Sequence, residues 1–109
     1  QPYHPVTNYY YAQVLNRSKQ YDKSIQALKH FINYSDDKTQ FFELLSEAYN
    51  GNGNEILAAI AQADYYILKQ EFKAAKTQLD IAITKTEDNY YLSIINSKLK
   101  EINKYLEKN

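Results

Sequence analysis

The sequence contains no cysteine, which excludes disulfide bonds, cysteine-ligated zinc and thiol nucleophiles. Glycine and proline are scarce, with two of each, and both prolines lie within the first five residues. Because these residues interrupt helices, their scarcity favours an all-α chain. Methionine is also missing, even at position 1, which predicts a processed chain or a fragment of a longer protein.

Charge of one sign and long apolar runs are missing as well. Thirteen basic residues balance thirteen acidic ones, so the chain has no net field that would hold phosphate backbones or anionic headgroups. No stretch approaches the roughly 20 apolar residues of a membrane-spanning helix. Tyrosines cluster at positions 9–11, 65–66 and 90–91, but without a basic patch beside them base stacking is disfavoured. We therefore expect neither a nucleic-acid partner nor membrane insertion.

Apolar residues recur at spacings of three and four, the pattern of amphipathic helices. The pattern predicts six helices, over about residues 7–19, 22–34, 37–50, 56–68, 72–85 and 90–106. In the first helix the inward stripe is predicted to be Tyr10, Tyr11, Val14 and Leu15. The fourth helix is apolar nearly all round, so we expect it to be sandwiched between neighbours and to be the most buried of the six.

Two of the turns carry capping signals. Asp37, with Gln40 three residues on, has the spacing of a capping box that opens the third helix. Residues 50–53, Asn-Gly-Asn-Gly, are predicted to end it, and Asn54 to cap the fourth helix. The predicted fold is a single all-α domain over residues 1–109, either an irregular bundle or a stack of helical hairpins.

Internal repetition distinguishes these two folds. The first hairpin carries small, large and aromatic residues at Ala12, Leu15, Tyr21, Ser24, Leu28 and Ile32. One period of about 34 residues later come Ser46, Tyr49, Gly53 and Ala58. A third match is offset by half a period and comprises Ala63, Tyr66, Phe72, Ala75, Leu79, Ala82 and Ile83.

This pattern resembles the tetratricopeptide repeat and implies an α-solenoid of stacked antiparallel hairpins. Lys19 and Gln70 stand where the repeat usually has its turn glycine. Because of the half-period offset, the fourth helix either closes one repeat or opens the next, so the register of the C-terminal half stays open. A helical bundle with coincidental spacing is the alternative.

A narrower resemblance lies in residues 40–49 (QFFELLSEAY), 53–55 (GNE) and 61–66 (AQADYY), and it continues through 88–92 and 98–102. These segments resemble the C-terminal repeat domain of bacterial M48-family zinc metallopeptidases, the group related to the β-barrel assembly-enhancing protease. The resemblance implies an excised C-terminal fragment of a periplasmic protein, in which a non-catalytic scaffold recruits substrate or outer-membrane assembly partners. Zinc would then belong to the missing peptidase domain. The alternative is a generic tetratricopeptide adaptor domain from an unrelated protein.

The residues themselves predict no catalytic activity. The metallopeptidase signature His-Glu-x-x-His does not occur, and neither His4 nor His30 has a histidine or carboxylate four residues on. No nucleophile elbow is present, and residues 50–53 lack the lysine and preceding strand of a phosphate-binding loop. We therefore expect a binding domain without catalytic residues, metal or cofactor.

The resemblance also indicates where a protein or peptide partner would bind, because the first helix of each hairpin lines the concave side of such a stack. The predicted partner-binding residues are Tyr9, Gln13, Asn16, Arg17, Glu43, Glu47 and Asn50. Arg17 is the only arginine, and its planar guanidinium suits a carboxylate. A clamp for a C-terminal carboxylate is not expected, because Tyr9 and Gln13 replace its usual lysine and asparagine. An ordinary solvated helix face is the alternative.

Overall fold

The computed structural model describes residues 4–107, and in this range the chain forms helices and no strands. The helices are α1 (Pro5–Arg17), α2 (Tyr21–Tyr34), α3 (Thr39–Gly51), α4 (Glu55–Leu68), α5 (Phe72–Ile83) and α6 (Asn89–Leu106). The predicted all-α class and the six helices are confirmed, and no helix end differs from its predicted position by more than two residues.

The helix starts are only partly as predicted. Asn54 caps α4, since its side chain accepts a hydrogen bond from the backbone N–H of Leu57 at 3.0 Å. The capping box at Asp37 is wrong: the residue that precedes α3 is Lys38, which makes no side-chain cap. The carboxylate of Asp37 instead accepts from the backbone N–H of Thr39 at 3.0 Å. Asp37 therefore holds the turn before α3 and does not start the helix.

The turns inside the three hairpins share one geometry. Lys19, Gly53 and Gln70 have φ values of 60°, 83° and 59°, in the left-handed region. The backbone N–H of each donates to the carbonyl three residues earlier, at 3.0, 3.1 and 3.0 Å. Lys19 and Gln70 thus occupy the position of the repeat's turn glycine, where a residue with a Cβ costs about 1 kcal/mol or more.

Each hairpin closes through two small residues twelve positions apart, both buried. The pairs are Ala12 with Ser24, Ser46 with Ala58, and Ala63 with Ala75. Ser46 Oγ donates to the Ala58 carbonyl at 2.9 Å, and Ser24 Oγ lies 3.5 Å from the Ala12 carbonyl. Small side chains let the two backbones approach, and the hydroxyls remain satisfied although they are buried.

Helix contacts resolve the register that the sequence leaves open. α1 packs against α3, and α4 packs against α6, whereas in the described chain neither α2 and α4 nor α3 and α5 bring any Cα atoms within 8 Å of each other. In a tetratricopeptide stack the first helices of neighbouring repeats lie together on the inner side. α4 is therefore the second helix of one repeat and the first helix of the next, and the inner side changes from the α1/α3 layer to the α4/α6 layer.

Aromatic residues that open the second helices support this register. The ring of Tyr21 at the start of α2 covers Gly51 at the end of α3, where it occupies the space that a Cβ would need. Phe72, the equivalent residue of α5, stacks on Tyr105 of α6 with ring centroids 4.5 Å apart and planes 5° apart. In both cases the ring packs on the next first helix, α3 in one repeat and α6 in the other.

Two apolar clusters form the core and share α4. The N-terminal cluster includes Leu28, Phe31, Phe41, Leu44, Ala58 and Ala61, and the C-terminal cluster includes Ile60, Ala63, Leu79, Ile95 and Ile102. Leu57 packs against both. The sandwiched position predicted for α4 is confirmed. Its rank as the most buried helix is wrong: α3 buries six residues and α4 four, because half-buried residues of α4 also face a groove.

The predicted inward stripe of α1 is also wrong. Only Leu15 is buried, whereas Tyr10, Tyr11 and Val14 are 59%, 43% and 54% exposed. The residues that α1 buries are Asn8, Ala12, Leu15 and Asn16. α1 meets α2 and α3 through a small residue and two amides, and the tyrosines at 9–11 place an aromatic ring on several sides of the helix. Apolar periodicity therefore indicated a different face, which shares only Leu15 with the buried one.

Candidate functional site

One of the predicted partner-binding residues, Asn16, lies at the junction of α1 and α3. Asn16 is 4% exposed, and its Nδ2 donates to the Leu44 carbonyl at 3.2 Å and to Glu47 Oε1 at 3.2 Å. Its buried Oδ1 has no hydrogen-bond partner among the described residues. Asn16 thus joins α1 to α3 and orients the carboxylate of Glu47. Its own side chain is covered by these contacts and is not presented to a partner.

The other predicted residues lie on the surface on either side of that junction. Glu43, Glu47 and Asn50 are exposed and recur at spacings of four and three, which places them on one face of α3. On α1, Arg17 is exposed and Gln13 is half-buried. We call this surface the α1/α3 face. Its role in partner binding stays a prediction.

Tyr9, the remaining predicted residue, lies at the end of this face where α1 and α3 begin. It is half-buried, packs against the N-terminal core cluster and makes an edge contact with Tyr10 at a centroid distance of 5.9 Å. Tyr9 also lines a cleft of about 320 Å³ together with Gln40 and Phe41 of α3. The ring is therefore held by packing on one side and is open to a ligand on the other.

A groove that the sequence analysis did not predict adjoins the α1/α3 face. Because α3 and α5 do not meet, a space of about 300 Å³ opens between them with α4 as its floor. We call it the α3–α5 groove. Its lining residues are Ser46, Asn50, Glu55, Ala58, Ala59, Gln62, Gln78, Ile81, Ala82 and Lys85. Asn50 belongs both to this groove and to the α1/α3 face, so the two surfaces are continuous along α3.

The side chains of the α3–α5 groove suit a peptide backbone. Alanines form much of its floor, so a ligand's main chain can approach α4 closely. The amides of Asn50, Gln62 and Gln78 each carry a donor and an acceptor, which match the N–H and C=O groups of an extended strand. At one end Lys85 Nζ lies 3.4 Å from Glu55 Oε2, in an exposed pair of the kind that stabilises folds little and exchanges easily for other partners.

The second half has its own inner face, between α4 and α6. Here Lys98 Nζ contacts Asp64 Oδ1 at 2.6 Å, and the two side chains are only 28% and 21% exposed. Burial raises the pKa of the Asp64 carboxyl above its usual value of 3.8, and the charge and hydrogen bond of Lys98 offset part of this rise. Both residues line a cleft of about 340 Å³ that extends to Phe72 and Tyr105.

The histidines have structural contacts. His4 Nδ1 accepts a hydrogen bond from the Thr7 backbone N–H at 3.2 Å and thereby caps α1. His30 is exposed on α2 and lies beside the Tyr34 ring at a centroid distance of 4.9 Å. Between residues 4 and 107, no three histidine, aspartate or glutamate side chains come together as a metal-ion site would require. No helix in the same range combines the length and hydropathy of a membrane crossing.

Comparison with known families agrees with the repeat geometry. The family model described as a tetratricopeptide repeat-like domain matches residues 3–108, almost the whole chain. No curated protein and no solved structure matches the chain significantly. Domains of this type are interaction scaffolds and are generally not catalytic. Because the family match and the packing of the helices agree, the chain belongs to the tetratricopeptide repeat-like domain family.

Proposed function

We propose that this chain is a protein-interaction domain that binds an extended segment of a partner in the α3–α5 groove and along the adjoining α1/α3 face. The observation that carries the proposal is the separation of α3 from α5, which opens a groove with an alanine floor and amide walls. From Glu55 to Gln62 the floor of the groove is about 10 Å long, which is enough for about three residues of extended peptide. The rest of a longer segment would follow α3.

The charges along α3 indicate what that segment carries. Glu43 and Glu47 are exposed one helical turn apart, and Asn16 already holds Glu47 in place. Two neighbouring carboxylates beside an amide-lined groove, one of them preorganised by Asn16, favour a partner segment with a lysine or arginine near one end. Tyr9 would contribute an aromatic contact further along the same face, since tyrosine is enriched among residues that dominate binding energy.

Binding can be measured with peptides selected by the chain from a random 12-residue display library. Ala59→Arg should fill the groove and weaken the selected peptides at least about tenfold, and Glu43→Gln with Glu47→Gln should weaken the basic ones by a similar factor. Lys100→Ala and Lys104→Ala, exposed changes on α6, are the matched controls. If the α6 changes weaken binding while Ala59→Arg does not, the groove is not the binding site.

A finer proposal concerns the protein to which the domain belongs. We propose that it is the non-catalytic repeat domain of a periplasmic M48-type zinc metallopeptidase and recruits substrate or outer-membrane assembly partners. The support is the resemblance of residues 40–49 and 61–66 to that family's repeat domain. A His-Glu-x-x-His motif encoded within the few hundred codons ahead of Gln1 would support this assignment. A gene without the motif would favour the alternative, a generic adaptor domain.

A further inference from the structure

The outer face of α1 carries large apolar residues that are more than half exposed, and two of them, Val6 and Tyr10, also border the cleft that Tyr9 lines. Val6, Tyr10 and Val14 recur every four residues and therefore form one stripe. Their side chains are 59%, 59% and 54% exposed. The only charged residue of α1 is Arg17, in its last turn. An uncharged stripe of this kind on a regular helix is typical of a packing surface.

The repeat identifies what this stripe is for. One period after Tyr10 and Val14 come Leu44 and Ala48 of α3, which are 4% and 0% exposed. In α6 the residue equivalent to Tyr10 is Ile95, which is 0% exposed. Leu44 and Ala48 belong to the core cluster that includes Leu28 and Phe31 of the preceding helix α2, and Ile95 belongs to the cluster that includes Leu79 of the preceding helix α5. Tyr10 and Val14 thus occupy positions that are buried in the core in the later first helix α3, while Gln40, one period after Val6, is exposed.

The helix at the other end of the described chain, α6, differs from α1 because its exposed outward face is mostly polar. Beyond its first turn, where Tyr90 is 68% exposed, the outward face of α6 is polar and consists of Ser93, Asn96, Ser97, Lys100 and Lys104, all exposed. Terminal helices of repeat stacks need such a polar outer face for solubility. α6 thus has the mostly polar face typical of a terminal helix, whereas α1 has the surface of an internal helix.

We propose that the outer face of α1 is covered by a further tetratricopeptide-like hairpin of the same polypeptide, placed ahead of Pro5, whose second helix packs on α1 as α2 packs on α3. The covering helix presents apolar side chains, as α2 does with Ile25, Leu28 and Phe31. A second copy of the chain is a poorer occupant. α1 is about 20 Å long and about 10 Å wide, a patch far smaller than the roughly 800 Å² per partner of a stable interface.

The chain's own first hairpin is a suitable probe. Residues 5–38 are repeated once ahead of Pro5, so that the copy of α2 meets the original α1. Val14→Cys in the original α1 supplies a thiol whose labelling rate measures whether α1 is covered. The chain has no other cysteine that could be labelled. A small side chain is tolerated at this position, since the equivalent residue of α3 is the buried Ala48. Stacking should slow maleimide labelling of this thiol at least about tenfold relative to the unextended chain and raise the melting temperature by about 5 °C.

Two variants make the test specific. Tyr10→Asp in the original α1 should restore fast labelling and remove the gain in melting temperature, while leaving the unextended chain folded. Tyr90→Cys, at a tyrosine on α6 that is 68% exposed, should label at the same rate in both proteins. Unchanged labelling at position 14 in the extended protein would overturn the proposal. It would also be overturned if the unextended chain forms a dimer in sedimentation that Tyr10→Asp abolishes, since a second copy would then cover α1.

Discussion

In the first half of the chain α1 packs against α3, whereas in the second half α4 packs against α6. Both halves use the same hairpin, with a pair of small residues at the crossing and a left-handed turn residue between the helices. They differ in which helices form the inner layer, α1 with α3 or α4 with α6, because the third repeat begins half a period early, on the helix α4 that the second hairpin already uses. The difference shows how a regular repeat acquires a groove: the α3–α5 groove exists because α4 serves two repeats.

The largest effect should come from charges placed at the two crossings that α4 makes. Ala58→Glu lies in the α3–α4 crossing and Ala63→Glu in the α4–α5 crossing, and these alanines are 2% and 0% exposed. Each change buries a carboxylate and overpacks the crossing, so each should lower the free energy of unfolding by on the order of 4 kcal/mol. Denaturant unfolding measures it. Ala59→Glu, half-buried in the groove, is the control and should cost less than about 1 kcal/mol.

If only one of Ala58→Glu and Ala63→Glu lowers the free energy of unfolding by this amount, α4 belongs to one repeat only. The shared role of α4 in the two halves would then be wrong.

Cavities in the two core clusters should have the next largest effect. Leu28 and Leu79 occupy equivalent positions, one in each cluster, and both are 0% exposed. Leu28→Ala and Leu79→Ala should each cost about 3 kcal/mol. Because α4 contributes to both clusters, the variants should unfold in one transition, with the same midpoint by circular dichroism and by tyrosine fluorescence. Two separated transitions in either variant would show that the halves fold independently.

The hairpin turns offer a smaller effect in the stabilising direction. Lys19 and Gln70 hold the left-handed conformation that Gly53 adopts without a Cβ. Lys19→Gly and Gln70→Gly should therefore each raise the free energy of unfolding by up to about 1 kcal/mol, after the entropic cost of glycine in the unfolded chain. Gly53→Lys should show the reverse sign. A loss of stability in Lys19→Gly or Gln70→Gly would mean that the shared turn geometry is wrong.

The smallest effect should be a pH dependence confined to the second half. The folded-state pKa of Asp64 lies above the unfolded value of 3.8 because of burial. The folded state therefore binds this proton more tightly, and the contribution of Asp64 to stability decreases as the pH rises from 3.8 through the folded pKa. The unfolding free energy of the parent, relative to that of Asp64→Asn, should therefore become smaller as the pH rises over this range. An increase would mean that pairing with Lys98 outweighs burial.

Most of the fold could be predicted from the sequence because small residues, turn residues and apolar spacing all follow one period. The half-period offset at Ala63 was visible, but its meaning depended on which helices touch, and that is a tertiary property. The orientation of α1 was predicted wrongly, because Asn8 and Asn16 are buried amides and periodicity analysis ranks tyrosines above them as core residues.

The candidate site was predicted less well for the same reason. Asn50 was the one predicted partner-binding residue that lines the α3–α5 groove, because the groove follows from the register and not from any motif. Its other polar lining residues are Gln62 of α4, Gln78 of α5 and Lys85 in the turn after α5, and they meet only because α4 and α5 form a third hairpin. Ala59, a small half-buried residue next to the buried Ala58, was the available signal of a floor that a ligand can approach closely.

The most direct test of the shared α4 is disulfide formation in double-cysteine variants, which carry no background thiols. Asp64→Cys with Lys98→Cys joins α4 to α6, two helices that do bring Cα atoms within 8 Å of each other, at a pair whose native side chains are in contact. Glu47→Cys with Ile81→Cys is the equivalent pair one half-period earlier and would join α3 to α5. A disulfide requires Cα atoms within about 7 Å of each other, and no Cα atoms of α3 and α5 lie within 8 Å. The account predicts oxidation of the first pair and none of the second, and the opposite result would show a regular stack without the register shift.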